Sequence, residues 1–123
     1  MSGERGSASI VAAAIVAMAT VLALGTADLA RVLIAETRAQ TAADAAALAA
    51  AQELAIPSGL DPAEVAAEYV ARNGGELLEC ACARGALEAT VRVGLDAGTL
   101  FLLGERRAVE AEARAVIDSG APP

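Results

Sequence analysis

Residues 6–27 are GSASIVAAAIVAMATVLALGTA, a stretch that contains no charged side chain. A helix over these residues would be ~33 Å long, which is enough to cross the hydrocarbon core of a bilayer. Its aliphatic side chains contribute about −3 kcal/mol of insertion preference, before the opposing cost of its Ser, Thr and Gly residues. The stretch therefore predicts one membrane-crossing helix near the N-terminus.

A cleaved secretory signal is the competing interpretation of the same stretch. Arg5 would supply its basic region, and Ala23-Leu24-Gly25 would supply a small-residue cleavage site. We favour retention, because the apolar run is longer than in most signal peptides and helical character continues past it. Arginine residues flank the stretch on both sides, so their distribution favours neither orientation.

Two helices are predicted before residue 75. The first continues from the apolar stretch through an alanine-rich segment to about residue 55, where Ile56-Pro57-Ser58-Gly59 stops it. The second begins after Asp61, a good N-cap, and ends at Asn73-Gly74-Gly75. Its inward-facing residues are expected to be Val65, Tyr69 and Val70.

Three stretches with alternating apolar residues then predict an antiparallel sheet with one wet face. A tight turn is expected at Arg84-Gly85, between the first two strands. The predicted inner faces are Leu78, Cys80 and Cys82 in the first strand; Leu87, Ala89, Val91, Val93 and Leu95 in the second; and Val109, Ala111, Ala113, Ala115 and Ile117 in the third.

Composition excludes several functions. The net charge of −7 argues against nucleic-acid binding, which needs clustered positive charge. With no His and only two Cys the chain cannot build a zinc site alone, and it lacks the common nucleophile and phosphate-binding motifs. We therefore predict no enzyme activity, no metal, no cofactor and no small-molecule substrate. The helical acids are expected on solvated faces: Glu36, Asp44, Glu53, Glu64 and Glu68.

Cys80 and Cys82 have two interpretations of equal weight. In a regular strand the Cα atoms of a C-x-C pair lie near 7 Å apart, at the limit for a disulfide. Outside the cytosol a bent strand would allow the pair to oxidise, within one chain or between chains. Alternatively, both are small buried apolar residues.

Two further segments are candidates for contacts. Leu100, Phe101, Leu102 and Leu103 form a bulky apolar run that would contact a partner or a membrane if it were exposed. Folded back, the same run would fill the core, which is the interpretation we favour. Ala19, Ala23 and Ala27 form an i, i+4 ladder that would permit close helix packing in a membrane, although alanine richness alone also accounts for it.

A resemblance to a known family adds to this picture. Arg5-Gly6-Ser7-Ala8-Ser9 leads directly into the apolar helix, and residues 38–51 are RAQTAADAAALAAA. Both segments resemble the TadE/TadG-like proteins of Flp (tight-adherence) pilus systems, and the strand after Cys82 is similar to short actinobacterial members. The resemblance implies a pilin-like α+β fold, with a long N-terminal transmembrane helix, a short helix and a small three-stranded antiparallel sheet.

The resemblance also implies a function and a location. The expected protein is a minor pilin or pseudopilin, a structural component of a pilus or secretion apparatus that contacts the membrane and other pilin-like or secretion-system subunits. It would cross the cytoplasmic membrane once, with its head domain extracytoplasmic. The alternative is a secreted cell-envelope binding protein with a cleaved N-terminal signal.

Four segments are predicted on this basis. They are a membrane anchor or signal at 1–28, an extramembrane continuation of the helix at 29–56, a small α+β head at 57–118 and a tail at 119–123.

The sequence departs from the pilin pattern at one position near the N-terminus. Pilin-type precursors carry Glu five residues after the cleaved Gly, whereas Val11 follows Gly6 at that spacing and Ala8 follows Gly3.

Overall fold

The computed structural model describes residues 2–120, and it confirms the α+β class. Within that part of the chain, helix α1 spans Ser2–Ala55 and helix α2 spans Pro62–Arg72. Strands β1 (Glu76–Ala81), β2 (Glu88–Thr99) and β3 (Arg106–Val116) form one antiparallel sheet in the order β1-β2-β3. Residue 1 of the predicted anchor and residues 121–123 of the predicted tail lie outside the described residues.

Helix α1 passes without a break through two environments. The side chains of its most apolar 18-residue window are not buried against any other part of the protein. From Ala35 onward one face of the helix is covered by the sheet and by α2. That face is almost entirely alanine: Ala35, Ala39, Ala42, Ala43, Ala46, Ala47 and Ala50. Because each presents only a methyl group, the sheet can lie very close to the helix backbone.

The inner face of the sheet follows the predicted alternation in β2 and β3. Ala89, Val91 and Val93 are fully buried against the alanine face of α1. On the outer face, Arg92 pairs with Glu79 across the sheet, with N and O 3.0 Å apart. The prediction for Leu87 is wrong: it precedes β2 and is 65% exposed.

Strand β1 contains a bulge that the sequence analysis missed. Pairing with β2 passes from Leu77–Val93 directly to Glu79–Arg92, so that Leu78 has no partner. Leu77 packs on the core, while Leu78 is exposed and lies over Gly94 on the outer face. The predicted inward position of Leu78 is therefore wrong, because one extra residue inverts the alternation on one side of a bulge.

Helix α2 begins as predicted, and the inward position predicted for Val70 is confirmed, but the rest of its buried face differs from the prediction. The Asp61 carboxylate accepts a hydrogen bond from the Ala63 N–H at 2.9 Å, and Pro62 occupies the first turn. The buried residues are Pro62, Ala66 and Val70. Tyr69 is 38% exposed, so its predicted inward position is wrong. The small Ala66 allows α2 to approach α1 more closely than the Tyr69 ring would.

The predicted turn between β1 and β2 is confirmed at Arg84-Gly85. The Ala86 N–H donates to the Ala83 carbonyl at 3.0 Å, and Gly85 has a φ of 87°, which favours glycine. The whole connection, from Ala81 to Glu88, is longer than a two-residue hairpin loop.

We expect Ala46→Leu to destabilise the head, because its side chain is fully buried between α1 and the sheet. Overpacking of this kind typically costs about 1–3 kcal/mol. The matched control is Ala71→Leu, the same substitution at an exposed position of α2. Hydrogen exchange of the β2 amides in detergent-solubilised protein measures the difference. Equal protection in the two variants would mean that the sheet does not lie closely on α1.

Candidate functional site

The β2–β3 loop, residues 100–105, docks on α1 at the end of the uncharged stretch. The Asp28 carboxylate accepts hydrogen bonds from two consecutive backbone N–H groups of the loop. The distances are 2.7 Å from the Phe101 nitrogen to Oδ1 and 2.9 Å from the Leu102 nitrogen to Oδ2. Asp28 is only 8% exposed. Hydrogen bonds from N–H groups to a carboxylate are among the stronger ones in proteins, so Asp28 clamps the loop to the helix.

A second contact from α1 supports the same loop. The Arg31 guanidinium donates a hydrogen bond to the Thr99 carbonyl at 3.1 Å and lies over the Phe101 ring, 4.3 Å from its centroid. Leu102 packs beside Gly25, where its Cδ1 atom would be 3.5 Å from an added Cβ. The loop therefore contacts α1 from Gly25 to Arg31.

The apolar run divides into one buried and three exposed residues. Leu100 is only 6% exposed and is therefore buried. Phe101, Leu102 and Leu103 are 57%, 49% and 63% exposed, so the favoured interpretation, that the run fills the core, is wrong for these three. The clamp holds the backbone of Phe101 and Leu102 against α1, while about half or more of each tip side chain stays exposed.

An ion pair closes the base of the loop. Asp96 pairs with Arg106, and its Oδ1 accepts a hydrogen bond from the Gly98 N–H at 2.7 Å. The Arg106 hydrogen bond is the main cause that lowers the pKa of Asp96 from its ordinary value. Both side chains are largely exposed, so the pair fixes loop geometry more than it contributes stability.

The predicted alanine ladder lies on the free part of α1. Ala19 and Ala23 are exposed and Ala27 is half-buried. Ala19 and Ala23 lie outside the part of α1 that the described head residues bury, whereas Ala27 lies in the segment that the β2–β3 loop contacts. The structure does not bring the ladder together with the cysteines. Its role in helix packing stays a prediction.

Cys80 and Cys82 lie at the opposite end of the sheet from the clamped loop. In the structure they are joined as a disulfide, with Cα atoms 5.4 Å apart. The separation is shorter than in a regular strand because β1 ends at Ala81, where the chain turns away from the extended conformation. Cys82 is buried in the main core and Cys80 packs at its edge.

A buried carboxylate also organises the connection between α1 and α2. Glu53 is 8% exposed, which corrects its predicted place on a solvated face. It accepts hydrogen bonds from the Ser58 hydroxyl and the Ser58 N–H, both at 2.7 Å, and from the Gly59 and Leu60 N–H groups, both at 3.1 Å. The Ser58 hydroxyl contributes most to lowering the pKa of Glu53. Burial opposes that effect, and the backbone N–H groups add to the lowering.

Asp28 and Glu53 are the residues that the sequence analysis missed. Each is an isolated acidic residue in an alanine-rich or apolar part of α1, and this isolation is the one feature of the sequence that could have indicated a buried role. Their partners are backbone N–H groups distant in the sequence or in an irregular loop, and no side-chain pattern records such partners. Among the described residues, no group of three or more His, Cys, Asp or Glu side chains is placed to hold a metal.

A comparison with protein families finds a similarity over part of the chain. Residues 6–53 match the model of the Tad family, described as Flp pilus-assembly TadE/G-like. The match covers less than half of the chain; it begins with the uncharged stretch, includes Asp28 and ends at Glu53. No curated protein and no solved structure matches the chain.

We expect Glu53→Gln to destabilise the protein in a pH-dependent way. The folded-state pKa of Glu53 is below the ordinary value of 4.5, so its stabilising effect is complete above 4.5 and is lost as the pH falls through the folded-state pKa. The difference in Tm between wild type and variant should therefore be largest at neutral pH and shrink below 4.5. Glu36→Gln, at an exposed position of the same helix, is the control. A pH-independent difference would contradict the assignment.

We predict that Cys80 and Cys82 in protein taken from cells react with an alkylating agent only after reduction, even in denaturant. The motivation is their pairing in the structure and the oxidising compartment expected for the head. The control is Thr41→Cys, an exposed thiol on α1 that should react without reductant. Alkylation of both native cysteines in denaturant alone would show two buried free thiols instead.

Proposed function

We propose that the protein is a TadE-like minor pilin or pseudopilin, a membrane-anchored structural component of a Flp/Tad-type pilus or secretion apparatus. The observation that carries this proposal is the family match over most of α1, combined with an apolar 18-residue window of that helix that no other described part of the protein buries. In this proposal the chain crosses the cytoplasmic membrane once and its head is extracytoplasmic. The role is structural and not enzymatic.

Assembly would proceed through the side of α1 that faces away from the head. At ~3.6 residues per turn, Ala23 lies about 140° around the helix axis from Asp28, which marks the head side. Exposed Ile34 and Leu48 lie within about 20° of the direction of Ala23. A helix of another pilin-like or secretion-system subunit can therefore pack along this side without meeting the head. In the membrane, small residues such as Ala19, Ala23 and Ala27 favour close approach.

The segments keep the proposed roles. Residues 1–28 form the anchor, residues 29–56 continue the helix outside the membrane, residues 57–118 form the head and residues 119–123 form the tail. The continuation does more than connect, because Ala39, Ala43 and Ala46 complete the core of the head. The head and the continuation therefore act as one unit in this proposal.

The contacts of the loop favour retention of the anchor over its cleavage. A signal peptidase acting after Ala23-Leu24-Gly25 would remove Gly25, against which Leu102 packs. It would also make Thr26 the new N-terminus, only two residues before Asp28, at the fraying end of the helix that holds the clamp. A retained helix leaves both contacts intact.

We expect Val16→Arg to release the protein from the membrane or to cause its degradation. An arginine at the centre of a membrane helix costs about 2.5–3.5 kcal/mol, close to the whole insertion preference of the stretch. Val16 is 65% exposed, so the substitution leaves the packing of the head unchanged. Carbonate extraction of membranes, followed by the intact mass of the extracted chain, is the measurement.

Leu48→Arg is the matched control, because Leu48 is an exposed apolar residue of the same helix outside the predicted membrane segment. This variant should resist carbonate extraction as the wild type does. A wild-type protein that is extracted by carbonate, or that has lost its first residues up to Gly25, would contradict the anchor and support the secreted alternative.

A further inference from the structure

The tip of the β2–β3 loop, formed by Phe101, Leu102 and Leu103, is a run of bulky apolar side chains that the head does not cover. Three consecutive exposed residues of this kind are unusual on a water-soluble surface. Their exposure is a property of the folded loop, because hydrogen bonds between its backbone and the Asp28 and Arg31 side chains hold it on α1.

The tip lies level with the end of the proposed membrane-crossing segment of α1. The uncharged stretch ends at Ala27, so a helix of ~33 Å that spans a hydrocarbon core of ~30 Å places Ala27 near its edge. Leu102 contacts α1 at Gly25, about 3 Å deeper along the helix than Ala27 at ~1.5 Å per residue. The tip is thus continuous with the surface of α1 that faces lipid.

We propose that Phe101, Leu102 and Leu103 insert into the bilayer interface on the side of the head, as a second membrane contact beside α1. This inference rests on the proposed membrane anchor. Apolar side chains of interfacial segments enter the headgroup and acyl boundary by about 5–10 Å, which matches the reach of a single loop tip. The Arg31 guanidinium, above the Phe101 ring, lies at the level expected for headgroup phosphates.

The charges around the tip indicate that apolar contact, not lipid charge, drives the insertion. Basic and acidic residues are balanced there: Arg31, Arg106 and Arg107 against Asp28, Asp96 and Glu105. The contact should therefore form on zwitterionic as well as anionic bilayers. Together with α1, it would fix the rotation of the head relative to the membrane, because two separate points are held.

The chain contains no Trp, so one introduced Trp reports on its own surroundings. We choose Leu103→Trp in the full chain, reconstituted into phosphatidylcholine nanodiscs with one copy per disc. The expected result is a blue-shifted emission that is quenched by lipids brominated high on the acyl chain. Quenching by lipids brominated near the chain end should be weaker, because the interface is shallow.

Two control variants make the outcomes separable. Leu87→Trp replaces an exposed leucine in the connection between β1 and β2, far from the clamped loop, and should be quenched by aqueous iodide but not by brominated lipid. Val16→Trp lies at the middle of the proposed anchor and should be quenched most by bromine near the chain end.

Quenching of Val16→Trp without lipid quenching of Leu103→Trp would overturn the tip insertion and leave the anchor intact. Loss of lipid quenching in both variants would overturn the anchor as well. A blue-shifted Leu103→Trp emission that only appears with several copies per disc, and that brominated lipid does not quench, would mean that a neighbouring subunit covers the tip. That outcome also overturns the membrane contact.

Discussion

The contact between the alanine face of α1 and the inner face of the sheet is the interaction on which the rest of the structure depends. If this face carried bulky residues, they would hold the sheet further from the helix axis and leave room between the two for a larger core. Here methyl groups meet Val91 and Val93 directly, so that little apolar area is buried for each residue of α1. A core of this kind gains from close packing and needs additional constraints at its edges.

Those constraints are found at the edges of the alanine face. Asp28 holds the β2–β3 loop near one end, and Glu53 holds the α1–α2 connection near the other, ~37 Å further along the helix. The Cys80–Cys82 bond restrains the chain where β1 leaves the sheet. Both carboxylates bind backbone N–H groups, which have fixed directions, and therefore they orient whole loops and not single side chains. The head is in this way fixed to the helix in one orientation.

The sequence predicted this architecture where periodicity is decisive. The apolar stretch and the alanine-rich continuation predicted one helix that runs to about residue 55, as α1 does. The alternation in β2 and β3 correctly predicted that Val91, Val93 and Val109 are buried. Prediction failed where a local irregularity changes the period: the bulge at Leu78 inverts one side of β1, and Leu87 lies before the first paired residue of β2. For α2 it was right about Val70 and wrong about Tyr69, because Ala66 lies on the buried face and the Tyr69 ring remains outside. Asp28 and Glu53 could not be predicted, because their partners are backbone groups brought near by the fold.

The clamp at Asp28 gains a further meaning if the loop tip lies in the bilayer interface. A carboxylate at the edge of a hydrocarbon region is costly unless hydrogen bonds satisfy it, and so are the N–H groups of Phe101 and Leu102 in the same place. Each group supplies what the other lacks: the loop gives Asp28 two donors, and Asp28 gives the loop an acceptor. The loop can then enter a region of low polarity without the strand pairing that would otherwise be needed. With the tip inserted as proposed, one acidic residue after an apolar helix would allow the head to contact the membrane that its proposed anchor crosses.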